Sequence, residues 1–301
     1  MKIRPLSIYG IGNPLIDIVI QATDDDLNAL NLDKGVMHLV DEIRQKEIIN
    51  YFKNCNTKYF PGGSAPNTML ACAGLGTTSL IAGKIGQDEF GDIYLRQAEK
   101  FGVLSGLVQG CGPTGSSIIL VTSDGERTMN THLGMCREFS ENDVDAGKLS
   151  QSTFFYFTGY MWDTESQKAA IKKAISIAKE NNVQIVFDVA DPFAVDRNKD
   201  EFLIMIEQDV DVVFENYAEL AILLDSENVD STADELMKIV HRAGIKLGEK
   251  GSLVLNDGKK HHVPPQPISA IDSTGAGDMY AAGFLTALAK GYSTKRAGEI
   301  G

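Results

Sequence analysis

Long hydrophobic runs are missing from this 301-residue chain, and so is clustered positive charge. No apolar stretch approaches the roughly 20 residues of a membrane-spanning helix. Met1-Lys2-Ile3-Arg4-Pro5 does not continue into the apolar core of a signal peptide, so a cytoplasmic protein is expected. Lys and Arg number 28 against 41 Asp and Glu and are scattered, and the formal charge of −13 argues against nucleic acid or an anionic membrane as a partner. Cysteine is scarce. Cys55, Cys72, Cys111 and Cys136 never form a Cys-x-x-Cys pair, which removes zinc and thioredoxin-type readings and leaves reduced, mostly buried thiols as the expectation. Trp162 reads as a packing residue, and His261-His262 has no third ligand spaced to make a metal site. Also absent is any Gly-x-x-x-x-Gly-Lys-Ser/Thr, so a P-loop does not hold phosphate here; Gly248-Glu249-Lys250-Gly251-Ser252 imitates one only superficially.

What is present is a hydrophobic content of 43%, enough for a large core in one domain over 1–301. Short runs rich in Ile, Val and Phe read as strands: Ser7 to Ile11, Ser79 to Gly83, Thr153 to Phe157, Gln184 to Phe187, Asp211 to Phe214 and Ser252 to Leu255. Between them lie helical patterns such as Glu165 to Glu180, with Ile171, Ala174, Ile175 and Ala178 at three- and four-residue steps. This alternation predicts an α/β fold with a mostly parallel sheet covered on both faces. Two segments, about 14–40 and 113–135, break the rhythm with Ile16-Asp17-Ile18-Val19-Ile20 and Ser117-Ile118-Ile119-Leu120-Val121. They are expected to form a small inserted β-sheet. Asp24-Asp25-Asp26 reads as a solvated helix start.

Chemistry concentrates in Asp272-Ser273-Thr274-Gly275-Ala276-Gly277-Asp278, which runs into the apolar Met279-Tyr280-Ala281-Ala282-Gly283-Phe284-Leu285. Without β-carbons at 275 and 277 the backbone can approach a ligand closely, and the first-turn N–H groups and dipole of a helix favour an anion. The amides of Gly275, Ala276 and Gly277 can hold charge developing on a moving phosphate, and Asp278 can take the proton of an attacking hydroxyl. A second Gly-rich stretch, Gly62-Gly63-Ser64-Ala65-Pro66-Asn67-Thr68 with Gly74 and Gly76 behind it, lies about 210 residues upstream. Gly12-Asn13-Pro14-Leu15-Ile16-Asp17 follows the first strand, where open α/β sheets bind ligands. A carboxylate at Asp17 can accept from two vicinal hydroxyls; its other reading is a turn residue.

The two Gly-rich stretches resemble, in order and spacing, the two signatures of the ribokinase-like (PfkB) carbohydrate kinase family, and the resemblance runs from about Leu6 to Lys290. It implies a ribokinase-like three-layer sandwich whose small sheet is a lid, with ATP as phosphate donor and magnesium as cofactor. Asp278 is implied as catalytic base beside the anion-holding Gly275, Ala276 and Gly277, and Asn13, Asp17, Gly62, Gly63 and Asn67 as the acceptor pocket. The Asn-Pro-Leu-x-Asp spacing resembles adenosine kinase-like members. Arg127, on the lid, resembles an Arg that reaches the transferring phosphate. Gly248 and Gly251 resemble the Gly-x-x-Gly turn bordering the nucleotide, where a plain hairpin turn is the alternative; Lys246 stands in place of the more usual Thr. Asn216 and Glu219 match an Asn-x-x-Glu motif implied to bind near the phosphates and order magnesium through water, although the same pair is a helix cap needing no ligand. Asp272 and Thr274 resemble positions that bind a monovalent cation, potassium, in some relatives. The chain ends soon after the signature helix, where family members usually continue with a helix walling the adenine, so no adenine contacts are assigned. The expectation is an ATP-dependent kinase, monomer or homodimer, acting on a hydroxymethyl group of a nucleoside such as adenosine. Free-sugar kinases for ribose, fructose or 2-keto-3-deoxygluconate are the alternative, and a non-catalytic nucleotide- or sugar-binding regulator is a third reading against which Asp278 argues.

Overall fold

Several strand-forming runs of this chain are apolar on both sides of their alternation, which calls for a sheet covered on both faces. The computed structural model describes residues 4–226, 228–266 and 275–301. Its strands are β1 (Leu6–Ile11), β2 (Leu15–Gln21), β3 (Met37–Leu39), β4 (Lys58–Gly62), β5 (Ser79–Gly86), β6 (Leu104–Gly110), β7 (Ser116–Val121), β8 (Arg127–His132), β9 (Ser152–Thr158), β10 (Gln184–Asp188), β11 (Val212–Asn216), β12 (Arg242–Lys246), β13 (Ser252–Asn256) and β14 (Lys259–Val263). The large sheet has nine strands in the order β14-β13-β12-β11-β10-β9-β1-β5-β6. It is parallel from β12 to β6 and closes at one edge with the antiparallel β12-β13-β14.

Strand β9 shows why helices cover both faces. Phe155 and Phe157 point to one side and pack with Trp162, Phe187 and Phe202 and the helices Glu165–Glu180 and Pro192–Asp209. Phe154 and Tyr156 point to the other, against Phe214, Phe284 and the helices Ser64–Gly74 and Ala276–Ala289. The helix Glu165–Glu180 spans the expected residues because Thr164 Oγ1 accepts from the Gln167 amide at its start and Ala170, Ile171, Ala174, Ile175 and Ala178 form its buried stripe. Pro66 falls in the first turn of Ser64–Gly74, where its missing N–H leaves no hydrogen bond unmade.

Strand order reverses at β1, flanked by β9 and β5, so the chain leaving its C-terminal end at Gly12-Asn13 opens a crevice. Over that crevice stands the small sheet, ordered β3-β8-β7-β2-β4. Ile16, Ile18 and Ile20 on β2 pack beneath Leu27, Leu30, Ile48 and Phe52, which leaves Leu15 and Asp17 on the opposite face, towards the cavity. Strand β4 lies outside the segments expected for this sheet; it pairs antiparallel with β2 and delivers the chain to the helix Ser64–Gly74. Asp24, Asp25 and Asp26 open a short helix capped by Thr23, as read. Cysteine departs from expectation: Cys72 and Cys136 are buried, but Cys55 and Cys111 are exposed, since both lie in turns that no layer covers. No helix among the described residues is long and apolar enough to cross a membrane.

Candidate active site

Gly275 is the N-cap of the helix Ala276–Ala289 and takes φ 71°, a left-handed conformation that suits glycine, and no side chain caps this helix end. The first-turn amides are therefore open to a cavity of about 540 Å³ that Gly275, Ala276, Gly277 and Asp278 line. Asp278 is 9% exposed. Its Oδ1 accepts from Ser64 Oγ at 2.7 Å and its Oδ2 from Asn67 Nδ2 at 3.1 Å. Both donors sit in the first turn of Ser64–Gly74, which starts from Gly63 at φ 96°; a β-carbon there would come within 2.0 Å of the Asn13 carbonyl oxygen. Burial pushes the Asp278 carboxyl up to about 6 against the two hydrogen bonds, with Asp188 adding to the rise and Lys246 opposing it. Near neutral pH it is a deprotonated carboxylate with appreciable basicity.

Across the cavity is Asp17, on β2. A β-carbon at Gly62 would lie 2.4 Å from its carboxyl atoms, so Gly62 acts by leaving room and is not itself part of the lining. Burial pushes Asp17 up to about 7; the Arg127 guanidinium lowers it and Asp278 raises it. Arg127 lines the cavity from the start of β8. Asn13 is held by a residue that sequence reading missed: Gln167 Nε2 donates 2.6 Å to Asn13 Oδ1 and 2.9 Å to the Cys136 carbonyl. This leaves the Asn13 amide N–H groups for a ligand. Met37, Leu39, Ile119, Met129 and Leu133 add an apolar wall. Asn67 lines the cavity, with one donor already committed to Asp278.

On the remaining side Asn216 and Glu219 form a reciprocal cap: Asn216 Oδ1 accepts from the Glu219 amide at 3.0 Å, and Glu219 accepts from the Asn216 amide at 2.7 Å and from its Nδ2 at 2.6 Å. Both still line the cavity, and burial pushes Glu219 up to about 7. Lys246, ending β12, donates to Asp188 Oδ1 at 3.2 Å. Gly248 joins the lining, whereas Gly251, at φ 84°, does not: a β-carbon there would lie 2.1 Å from the Val263 carbonyl, so it serves the turn. Asp272 and Thr274 lie outside the described residues. Ser64, Asp188 and Gln167 were not singled out from sequence; for Asp188 the available signal was an acid ending the apolar run Gln184 to Phe187. Among the described residues no trio of His, Cys, Asp or Glu could cage a bare metal ion. Asp188 and Glu219, acidic groups able to accept from metal-bound water, line the cavity beside the cradle, a set that fits magnesium held through its water shell and a nucleotide's phosphates.

Next to the cap, Glu215 is fully buried, and neither carboxylate oxygen has a hydrogen-bond partner among the described residues. Burial, reinforced by Glu219, holds its carboxyl well above the usual range, with Lys246 opposing. A raised folded-state value means that this acid costs stability at any pH above about 4.3, where the unfolded chain releases its proton. Glu215→Gln, which carries no such proton, should therefore stabilise the fold by about 1–3 kcal/mol at pH 8, and the gain should vanish near pH 4. Thermal melts at the two pH values check this; a loss at pH 8 would mean that Glu215 is charged and paired.

With the geometry in hand, the chain can be set beside known proteins. Residues 40–301 match the model of the pfkB family of carbohydrate kinases. An adenosine kinase of Dictyostelium discoideum is 26% identical over 98% of this chain and 92% of that protein. The solved adenosine kinase from Sinorhizobium meliloti superposes with a TM-score of 0.91 at 33% identity, over 98% of this chain and 91% of its own. A probable sugar kinase from Rhizobium etli CFN 42 gives 0.93 at 30% identity, over 99% and 91%. The ribokinase-like α/β architecture agrees with these matches, and the chain belongs to the pfkB family of carbohydrate kinases.

Proposed function

We propose that the protein transfers the γ-phosphoryl group of ATP to a hydroxymethyl group of a nucleoside, adenosine being the best candidate. The observation that carries this reading is the pairing, in one cavity, of a buried base at the glycine cradle, Asp278, with a second carboxylate on the small sheet, Asp17, beside the apolar wall of Met37, Leu39, Ile119, Met129 and Leu133. Vicinal hydroxyls suit Asp17 and Asn13, and a flat nucleobase suits the wall. Ser64 and Asn67 aim the Asp278 carboxylate, which takes the hydroxyl proton as the oxygen attacks phosphorus. Amides at 275–277 and the Arg127 fork stabilise the charge of the moving phosphoryl group. Glu219 would hold magnesium through its water shell, and the metal would neutralise charge on the ATP phosphates. Asn216 and Gly248 border the nucleotide. The small sheet serves as a lid that excludes water from the transfer. Potassium at Asp272 and Thr274, a cytoplasmic location and a monomer or homodimer complete the reading.

A panel of nucleosides and free sugars, followed by ADP formation in magnesium, tests it. Adenosine or a related nucleoside should give a higher kcat/KM than ribose, fructose or 2-keto-3-deoxygluconate, because the base contributes binding energy that a bare sugar lacks. Faster ADP release with a free sugar than with every nucleoside would assign the chain to the sugar kinases instead, a reading that the likeness to the Rhizobium etli protein keeps in view. Failure to turn over ATP with any acceptor of the panel would leave only a binding role.

A further inference from the structure

Lys246 is the one basic residue among those lining the cavity on the nucleotide side, among the described residues. It ends β12, opposite Asn216 of β11, and its side chain is 18% exposed. Its Nζ lies 3.2 Å from Asp188 Oδ1 and 3.4 Å from Oδ2. Asp188 is fixed in turn, since it is 2% exposed and its Oδ2 also accepts from Tyr156 Oη at 3.3 Å. An ideal β-carbon at Gly277 would stand 3.3 Å from the Lys246 ammonium, so the charge is set directly against the cradle, in the space that glycine leaves free. The other carboxylates that act on it from the cavity accept elsewhere, Asp278 from Ser64 and Asn67 and Glu219 from Asn216, while Glu215, also near its charge, does not line the cavity. An ammonium has three donors. Asp188 takes one side of it, and the rest are available to the cavity.

We infer that Lys246 contacts the nucleotide's polyphosphate directly, a protein-borne cation beside the Gly275–Gly277 amides that holds the phosphates whether or not a metal accompanies them. This rests on the kinase reading above and adds a residue-specific role to it. The charge balance supports it. A helix N-terminus offers only about half an elementary charge, whereas a triphosphate brings several negative charges into a cavity already bordered by Asp188, Glu219 and Asp278. Burial works against the ammonium, but Asp188 and Glu219 outweigh it and hold Lys246 above its ordinary value, so it stays charged at neutral pH. The competing role is purely structural, with Lys246 present only to neutralise the buried Asp188.

Calorimetric titration separates the two, with inorganic tripolyphosphate and a non-hydrolysable ATP analogue as probes, each in EDTA and in magnesium, and adenosine as the control ligand. Lys246→Met should weaken both polyphosphates by about tenfold or more, the scale of a charge-assisted contact, while adenosine affinity moves less than about twofold. In kinetics the same variant should raise KM for ATP and leave KM for the acceptor. The double variant Asp188→Asn/Lys246→Met removes both charges, so no uncompensated buried carboxylate remains; it should bind polyphosphate as weakly as the single variant. It also carries the test alone if the single variant does not fold. Polyphosphate affinity restored to the original level in the double variant would overturn the inference, as would an original protein that binds no polyphosphate. If the original protein binds ATP but phosphorylates no acceptor, the kinase reading fails while the comparison between variants still decides the role of Lys246.

Discussion

Asp278→Asn should lower kcat by roughly 10²–10⁴-fold, the usual range for a positioned base, and leave nucleotide binding nearly intact. The substitution is isosteric, and an Asn carbonyl oxygen can still accept from Ser64 Oγ, which now donates to Asp278 Oδ1 at 2.7 Å. What disappears is the proton acceptor. The pH profile adds a second signature. With its carboxyl pushed up to about 6, Asp278 is progressively protonated below that pH, so the rate of the original protein should rise with pH through a midpoint near 6. The Asn variant should lack that limb. Retention of more than about a tenth of the rate, well short of a general-base effect, would mean that the proton goes elsewhere.

The second large effect is expected at Asp17. If its carboxylate holds two hydroxyls of the acceptor, Asp17→Ala should cost about 2–4 kcal/mol in kcat/KM, from lost charge-assisted bonds and from hydroxyls left unpaired in a closed site. ATP affinity should hardly change, because Asp17 lies on the small sheet, away from the Asn216 and Lys246 side. A deoxynucleoside lacking one of those hydroxyls should be a poor substrate of the original protein but lose much less on mutation, since part of the interaction is already absent. Equal losses with ribo and deoxy substrates would reduce Asp17 to a support for β2 and β4.

Both of these residues were legible in the chain because each announces itself locally. Asp278 ends a glycine-rich turn before an apolar helix, and Asp17 is a lone acid inside a run of alternating Ile and Val. The contacts that make them work were not: Asn67 reads in the sequence only as part of the acceptor pocket, and nothing there singles out Ser64 or Gln167. Ser64 and Asn67 reach Asp278 across 214 and 211 positions of chain, and Gln167 reaches Asn13 across 154, so no local pattern links the partners. The same divide runs through the fold. Strands buried on both faces, such as β9 and β10, declare themselves by their apolar residues. Strand β6 is an exposed edge, β14 is Lys-Lys-His-His-Val, and β12 carries Gly244, where a β-carbon would sit 2.9 Å from Tyr280 Cε1. Edge strands need little apolar character, and a glycine chosen for close approach erases what little signal a five-residue strand has.

The placement of the two carboxylates, Asp17 on the small sheet and Asp278 on a helix packed against the large one, has a consequence for how such a molecule changes over generations. On the proposed reading, proton abstraction and the glycine cradle's hold on the phosphates belong to the helices and strands of the large sheet, locked by contacts such as Gly63 on Asn13, where no added atom fits, and the small sheet adds only Arg127 to the transfer. Met37, Leu39, Ile119 and Met129 belong to the small sheet and make no hydrogen bond to the Asp278 network. Drift among those four side chains can therefore trade one acceptor for another while the transfer chemistry is inherited unaltered, and a lineage can acquire a new diet by changing only the wall.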